Sequence, residues 1–126
     1  MMHFDRGLMT KLERRYLFGK KLSALIMLAD VHDIRVAPFS FYRTAEEQYL
    51  LFLGGKSACD GYKKISKHQS WLACDLAILS DDGTDFLWVD TRYDKFGELA
   101  EKLGLTWGGR WNTLGDIYHV EFKEAE

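Results

Sequence analysis

This sequence contains little cysteine and proline, and neither sign of charge is in large excess. Its 126 residues include two cysteines, Cys59 and Cys74, and one proline, Pro38. These cysteines form neither a CxxC redox pair nor a four-thiolate metal site, so we expect reduced thiols and no disulfide framework. The 17 Lys and Arg residues nearly balance the 19 Asp and Glu residues. This balance argues against nucleic acid as a partner, because phosphate contacts require a concentrated basic surface.

A segment long enough to span a membrane is also missing. The one run that resembles a targeting segment, Leu22 to Ala29, is too short to cross a bilayer and has no small-residue cleavage pattern. It begins inside a helical pattern, and we interpret it as a buried helix face. The sequence therefore predicts no membrane insertion, synthesis in the cytoplasm and no export by the general secretory route.

Length and patterning predict a single α+β domain over residues 1–126. A chain of this size buries roughly two-thirds of its unfolded surface and folds without a disulfide. Capping residues and apolar stripes predict three helices, which begin at Thr10, Thr44 and Thr91 and end near His32, Gly54 and Gly104. Gly19 is the point where the first helix could bend.

Four segments rich in β-branched, aromatic or continuous apolar residues predict strands at 34–39, 71–79, 86–89 and 118–122. Pro38 places the first of them at a strand end or a sheet edge, since proline cannot donate to a ladder. The resulting architecture is a small antiparallel sheet with helices packed on one side.

Two of the four histidines stand out by their position. His3 and His32 are interpreted as solvated or helix-ending side chains, whereas His68 precedes the central strand and His119 lies in the last strand. Strand alternation places Asp75 on the face of Ala73 and Ala77, away from the apolar face. His119 likewise points away from the apolar residues of its strand. Two imidazoles, one carboxylate and an open position match a catalytic zinc site; a core hydrogen bond between His68 and Asp75 explains the same pattern.

Two further polar residues are candidates for catalysis. Asp116 lies on a turn three residues before His119, within reach of a water at such a metal site. Arg43 precedes the second helix and could donate two hydrogen bonds to an oxyanion or a carboxylate. Taken singly, Asp116 also fits an ordinary turn aspartate, and Arg43 fits an ordinary surface arginine.

Together these segments resemble a known family. Residues 66–75 (SKHQSWLACD) look like the SxHxxGxAxD signature of peptidase family M15, the zinc D-alanyl-D-alanine carboxypeptidases and L-alanyl-D-glutamate peptidases, which share a fold with the hedgehog amino-terminal domain. Residues 116–119 (DIYH) resemble its D/E-x-x-H motif. Arg43 with Thr44 and Gln48 is similar to its R-[ST]-x-x-x-Q stretch, and residues 107–112 (WGGRWN) to a segment of phage members. The resemblance covers about residues 10–122 and is greatest to single-domain phage endolysins.

The resemblance implies a zinc-dependent peptidoglycan hydrolase that cuts stem peptides, most specifically between L-alanine and D-glutamate, as a monomer that reaches the cell wall after release. The implied zinc ligands are His68, Asp75 and His119, with Asp116 as general base and Arg43 holding the charge that develops on the scissile carbonyl. Substrate contacts are implied for Arg43, Ser66, Gln48 and Trp71. Trp71 departs from the signature, which has glycine there, and Cys74 replaces a small or aliphatic residue.

Three alternatives remain open at this point. The same family includes D,D-carboxypeptidases and dipeptidases, which differ in how the cleft ends. A non-catalytic zinc-containing binding domain of the same fold is the second, although the presence of Asp116 and Arg43 argues against it. An iron oxygenase with two histidines and one carboxylate is the third, but its first two ligands usually sit one residue apart, and His68 and Asp75 are seven apart.

Overall fold

The structure, a computed structural model, describes residues 9–124 as an α+β fold, which confirms the predicted class. His3 lies outside the described residues. The helices are α1 (Lys11–Val31), α2 (Ala45–Leu53) and α3 (Tyr93–Lys102). The strands are β1 (Val36–Ser40), β2 (Ala73–Leu79), β3 (Phe86–Leu87), β4 (Leu105–Trp107) and β5 (His119–Phe122). Two short 3₁₀ helices lie at Lys67–Ser70 and Gly108–Arg110.

The first two helices begin at the predicted capping boxes. The Thr10 hydroxyl accepts a hydrogen bond from the Glu13 amide, and the Glu13 carboxylate accepts one from the Thr10 amide. Thr44 and Glu47 repeat this exchange at the start of α2. Each exchange satisfies two backbone donors that the first helical turn leaves free. α1 then runs unbroken for 21 residues, so Gly19 does not divide it.

The predicted cap of the third helix is wrong by one residue. α3 begins at Tyr93 after Arg92, whose side chain makes no capping hydrogen bond. The Asp90 carboxylate instead accepts a 2.9 Å hydrogen bond from the Arg92 amide, so the turn before the helix is fixed by Asp90 and not by Thr91. The predicted end is confirmed: Gly104 follows the helix with a φ of +79°, a conformation that glycine adopts without strain.

The sheet has the order β1-β2-β5-β4, with β3 pairing beside β2, and all pairings are antiparallel. Pro38 lies in β1, an edge strand, as predicted. β3 and β5 are shorter than predicted. β4 was not predicted, because its three residues, LTW, directly follow the end of α3 and give no alternation long enough to detect.

The two faces of β2 differ in what covers them. Cys74, Leu76 and Ile78 point into a core that also contains Phe18 and Leu25 of α1 and Phe96 of α3. Both cysteines are free thiols, and Cys74 is completely buried. Ala73, Asp75 and Ala77 occupy the opposite face. α2 borders that side of the molecule, and Gln48 is its one buried residue.

No helix within residues 9–124 combines the length and the apolar character that crossing a membrane requires.

Candidate metal centre

Three buried side chains from separate segments meet on the non-core face of the sheet. Asp75 and His119 are directly paired residues of β2 and β5. His68 reaches them from the 3₁₀ helix at Lys67–Ser70. The Asp75 Oδ1 atom lies 3.1 Å from His119 Nδ1 and 3.3 Å from His68 Nε2, and the two ring nitrogens are 3.2 Å apart. The structure therefore brings the three predicted ligands together.

The spacing of these three atoms suits a zinc ion. Zinc takes nitrogen and oxygen ligands at about 2.0–2.2 Å in tetrahedral geometry, so two of its ligand atoms lie about 3.3 Å apart. The three observed distances of 3.1, 3.3 and 3.2 Å agree with the edges of such a tetrahedron. Two imidazoles and one carboxylate are also the donor types of catalytic zinc sites, in which the fourth position stays open.

The loop before β2 fixes the orientation of His68. The Ser66 hydroxyl accepts a 3.2 Å hydrogen bond from the His68 amide, and the Gln69 side chain accepts one from the Ser66 amide, which together cap the 3₁₀ helix. His68 Nδ1 lies 2.8 Å from the carbonyl oxygen of Phe41. A carbonyl can only accept, so Nδ1 donates this hydrogen bond, and Nε2 is the ring nitrogen that faces the centre.

Charge in the centre is balanced between Asp75 and His119. Burial opposes ionisation of Asp75, but hydrogen bonds with His119 and His68 hold the pKa of its carboxyl well below the ordinary value. Burial likewise opposes charge on His119, yet its hydrogen bonds with Asp75 and Glu121 raise its pKa to about 9. A metal that binds Nδ1 must therefore displace a proton.

Arg43 reaches the centre from the turn between β1 and α2. Its Nη2 atom donates a 2.9 Å hydrogen bond to Asp75 Oδ2, and its Nη1 atom donates one of 3.2 Å to Gln48. The side chain is 18% exposed, and it lines the cavity over the centre. The remaining guanidinium donors can therefore serve a bound molecule.

Gln48, predicted to contact substrate, is completely buried. Its amide nitrogen donates to Ser57 Oγ and to the Cys59 carbonyl, and its oxygen accepts from Arg43. The structure therefore places it behind Arg43, out of reach of a substrate. Ser66 does line the cavity, but its hydroxyl is engaged in capping His68.

Asp116 lies beside the centre on the turn that enters β5. Its backbone is held by the 3₁₀ helix at Gly108–Arg110: the Asp116 amide donates to the Gly108 carbonyl at 3.0 Å. A Cβ atom on Gly108 would lie only 2.7 Å from the Asp116 carbonyl oxygen, which explains the glycine. Burial, followed by the charge of Asp75, raises the pKa of Asp116. Its carboxyl faces the same cavity as His68 and His119.

The cavity over the centre has a volume of about 560 Å³. Apolar side chains from α2 and two loops line it: Leu51, Ile65, Trp111 and Leu114. Four cationic side chains also line it: Arg43, Lys56, Lys64 and Lys67. Arg43 and Lys67 are paired with carboxylates. Within the described part of the chain, Lys56 and Lys64 have no ion-pair partner, so the cavity has positive charge available for a ligand.

Trp71, predicted to contact substrate, is not among the residues that line this cavity. It ends the 3₁₀ helix with a φ of +61°, in the left-handed region that favours glycine. Its ring stacks on Tyr42, with centroids 4.6 Å apart and planes at 16°, and packs against Phe41. The indole therefore leaves the metal centre open. The departure from the family signature is accommodated by strained backbone and an aromatic stack.

Sequence reasoning missed four residues around the site. Glu121 and Lys67 support His119, and Lys56 and Lys64 supply the free charge of the cavity. Glu121 could have been found, because strand alternation places it on the same face as His119. Lys56 and Lys64 lie in an irregular segment, where no periodicity shows which way a side chain points.

A family model of the M15 peptidases, described as D-alanyl-D-alanine carboxypeptidase, matches residues 60–122, half of the chain. The L-Ala D-Glu endopeptidase ChiX of Serratia marcescens has a similar fold, with a TM-score of 0.65 and 18% identity over 94% of this chain and 92% of that chain.

Two larger proteins share the fold. The LD-carboxypeptidase LdcB matches with a TM-score of 0.60 and 17% identity over 84% of this chain and 57% of its own. The D,D-pentapeptidase VanY of a VanB-type resistance cassette, solved with Zn(II), matches with a TM-score of 0.58 and 14% identity over 83% of this chain and 70% of its own.

Proposed function

The chain belongs to the M15 peptidase family, and on this basis we propose that it is an endopeptidase that cuts the bond between L-alanine and D-glutamate in peptidoglycan stem peptides. Membership identifies it as a zinc peptidase that acts on peptidoglycan. The observation that carries the proposal is the meeting of His68, Asp75 and His119 atoms at tetrahedral spacing, beside a cavity that both histidines and Asp116 line.

We assign the zinc to His68 Nε2, Asp75 Oδ1 and His119 Nδ1. Zinc held there would supply a Lewis acid that polarises the scissile carbonyl and activates water for attack. Asp116 accepts the proton of the attacking water and returns it to the leaving amine nitrogen. Arg43 donates to the carbonyl oxygen as negative charge develops on it, held in place by Gln48 and Asp75.

The shape of the cleft favours an endopeptidase over a carboxypeptidase. A second cavity of about 580 Å³ shares Arg43, Leu51 and Lys56 with the one over the centre. The cleft therefore continues past Arg43 and leaves room for peptide on both sides of the cut.

The free charge of the cleft suits an acidic peptide. Lys56 and Lys64 line the cavity without ion-pair partners among residues 9–124. D-Glutamate in a stem peptide brings carboxylate that such ammonium groups attract. The domain, proposed to cover 1–126, would then act as a monomer on the cell wall after its release.

Digestion of purified peptidoglycan followed by mass spectrometry of the muropeptides tests the proposal. We expect fragments with a new D-glutamate amino terminus and glycan left with L-alanine alone. Asp116→Asn, loaded with zinc, is the matched control and should give neither. Loss of a carboxy-terminal D-alanine would indicate the family's carboxypeptidase activity instead. Unchanged muropeptides with bound zinc would support the non-catalytic binding domain.

A further inference from the structure

Beside the three proposed ligands lies a pair of charged residues that the sequence motifs do not include. Glu121 follows His119 by two residues in β5 and shares its face of the sheet, and Lys67 directly precedes His68. Glu121 Oε1 lies 2.8 Å from His119 Nε2, and Glu121 Oε2 lies 3.2 Å from Lys67 Nζ. Lys67 Nζ also donates a 2.6 Å hydrogen bond to the Phe122 carbonyl.

We propose that Glu121 and Lys67 form a clamp that fixes the position of the His119 ring before the metal arrives, and so determines how tightly zinc is held. This Lys67–Glu121 clamp rests on the proposed function only in taking His119 as a zinc ligand. Both are positioning residues, since they act through His119 and through the backbone.

The first action of the clamp is on the imidazole ring. An ionised carboxylate has no proton to donate, so His119 Nε2 must carry the proton that it shares with Glu121. Nδ1 is then the ring atom that faces Asp75 and His68. Without Glu121, the ring could turn within its pocket against Trp111. The bond thus holds Nδ1 toward the position that a metal would take.

The second action is on the backbone. His68 and His119 are 51 residues apart in the chain and lie on a 3₁₀ helix and a strand. Lys67 belongs to the first segment and binds the side chain of Glu121 and the carbonyl of Phe122 in the second. The two ligand-bearing segments are therefore joined by protein contacts alone, close to the ligands.

The Lys67–Glu121 pair is more buried and makes more hydrogen bonds than an ordinary surface ion pair. The Glu121 side chain is only 18% exposed and that of Lys67 32%, and each makes a second hydrogen bond. By contrast, Lys95 and Glu98 on α3 form an ion pair at 3.8 Å, with side chains 46% and 58% exposed. Exposed pairs of that kind contribute little. The Lys95–Glu98 pair therefore provides a matched control.

Zinc affinity of the metal-free protein, measured by competition with a chromophoric chelator, tests the clamp. Loss of a partner next to a metal-bound histidine typically weakens metal binding 10–100-fold, and we expect this range for Glu121→Ala. Glu121→Gln keeps an oxygen that accepts from Nε2, so it should recover most of the affinity. Lys67→Ala should weaken binding less than Glu121→Ala, and Glu98→Ala should leave it unchanged.

Two controls keep the result interpretable. Circular dichroism and thermal unfolding of each metal-free variant show whether it is folded, and nitrogen-15 shifts of the zinc-loaded His119 ring show whether Nδ1 still faces the metal. Wild-type affinity in folded Glu121→Ala would overturn the proposal, and so would equal losses in Glu121→Ala and Glu121→Gln. Because zinc binding is measured without substrate, a wild-type protein that binds zinc but cuts no peptidoglycan would refute the proposed function and leave the clamp intact.

Discussion

Asp75 and His119 are direct partners across β2 and β5, and their side chains meet at 3.1 Å on the face of the sheet that is turned away from the core. They are 44 residues apart in the chain. A shift of this pairing by one residue would move His119 to the core face, because side chains alternate along a strand. The apolar partners Cys74 and Val120 hold the register from the other side. Packing of the core therefore positions the proposed ligands.

Replacing Arg43 by alanine should lower kcat by about 10²–10³, the usual cost of removing one donor to an oxyanion. Arg43→Lys should recover little of it, since lysine lacks the planar fork that binds Gln48 and Asp75 at once. The measurement is turnover on purified peptidoglycan, with zinc content by native mass spectrometry as the control. Parent-level turnover in Arg43→Ala would remove Arg43 from the mechanism.

Asp116→Asn should keep zinc and lose catalysis. Asp116 is not among the three atoms of the centre, so metal content should stay at one zinc per chain. Loss of a general base typically costs about 10²–10⁴ in rate. Native mass spectrometry and an assay for new amino termini should be run on one preparation. If zinc is lost together with activity, Asp116 is a ligand and not the base.

The acidic limb of the pH–rate profile should lie at a higher pH than an ordinary aspartate would give. Asp116 works as a base only when ionised, and burial, followed by the charge of Asp75, raises its pKa above 3.8. Bound zinc offsets the charge of Asp75 but leaves the burial. Activity should therefore fall as pH drops through this raised pKa. Profiles of kcat/KM, with zinc content checked at every pH, measure the limb, and a limb at or below 3.8 would contradict the assignment.

At position 71, glycine should give a more stable protein than alanine, which reverses the usual order of stability of these two residues. The φ of +61° at this position costs a side chain about 1–2 kcal/mol that glycine avoids. Both Trp71→Gly and Trp71→Ala lose the stack on Tyr42, but only alanine keeps the strain. Trp71→Gly should thus be the more stable variant by about 1 kcal/mol in chemical denaturation. Both should retain turnover, because Trp71 does not line the cavity; a large loss of turnover would restore its predicted substrate contact.

Lys56→Ala and Lys64→Ala should raise KM and leave kcat unchanged. Each ammonium group is exposed at the cavity, where an ion pair contributes about 0–1 kcal/mol, so a rise of about two- to fivefold is expected. The effect should disappear on a peptide whose glutamate carboxylate is amidated. Lys95→Ala on α3 serves as the control. An equal rise in KM on both peptides would exclude charge recognition by these lysines.

The parts of the fold that local rules determine were predictable from the sequence. Capping boxes at Thr10 and Thr44 and the alternation around Asp75 follow from hydrogen bonding and strand geometry within a few residues, and the structure confirms them. The start of α3 was missed because Asp90, and not Thr91, satisfies the backbone there. β4 was missed because three residues are too few to show a period.

The site was predictable in its residue types but not in its supporting contacts. Motif spacing identified His68, Asp75, His119 and Asp116; His68, His119 and Asp116 line one cavity, and Asp75 contacts both histidines. The burial of Gln48 behind Arg43 and the turning of Trp71 toward Tyr42 depend on how distant segments pack. No pattern along the chain encodes those contacts, so sequence reasoning assigned both residues to the substrate.

Strand alternation turns the Cys74 thiol away from the proposed metal site. Cys74 is the sequence neighbour of Asp75, and a thiolate at that position would compete for zinc and attract oxidants. On the opposite side of the strand it is completely enclosed, and burial raises the pKa of its thiol to about 12. A soft ligand thus lies one residue from a hard one without contacting the proposed metal position, and oxidants should not reach the Cys74 thiol.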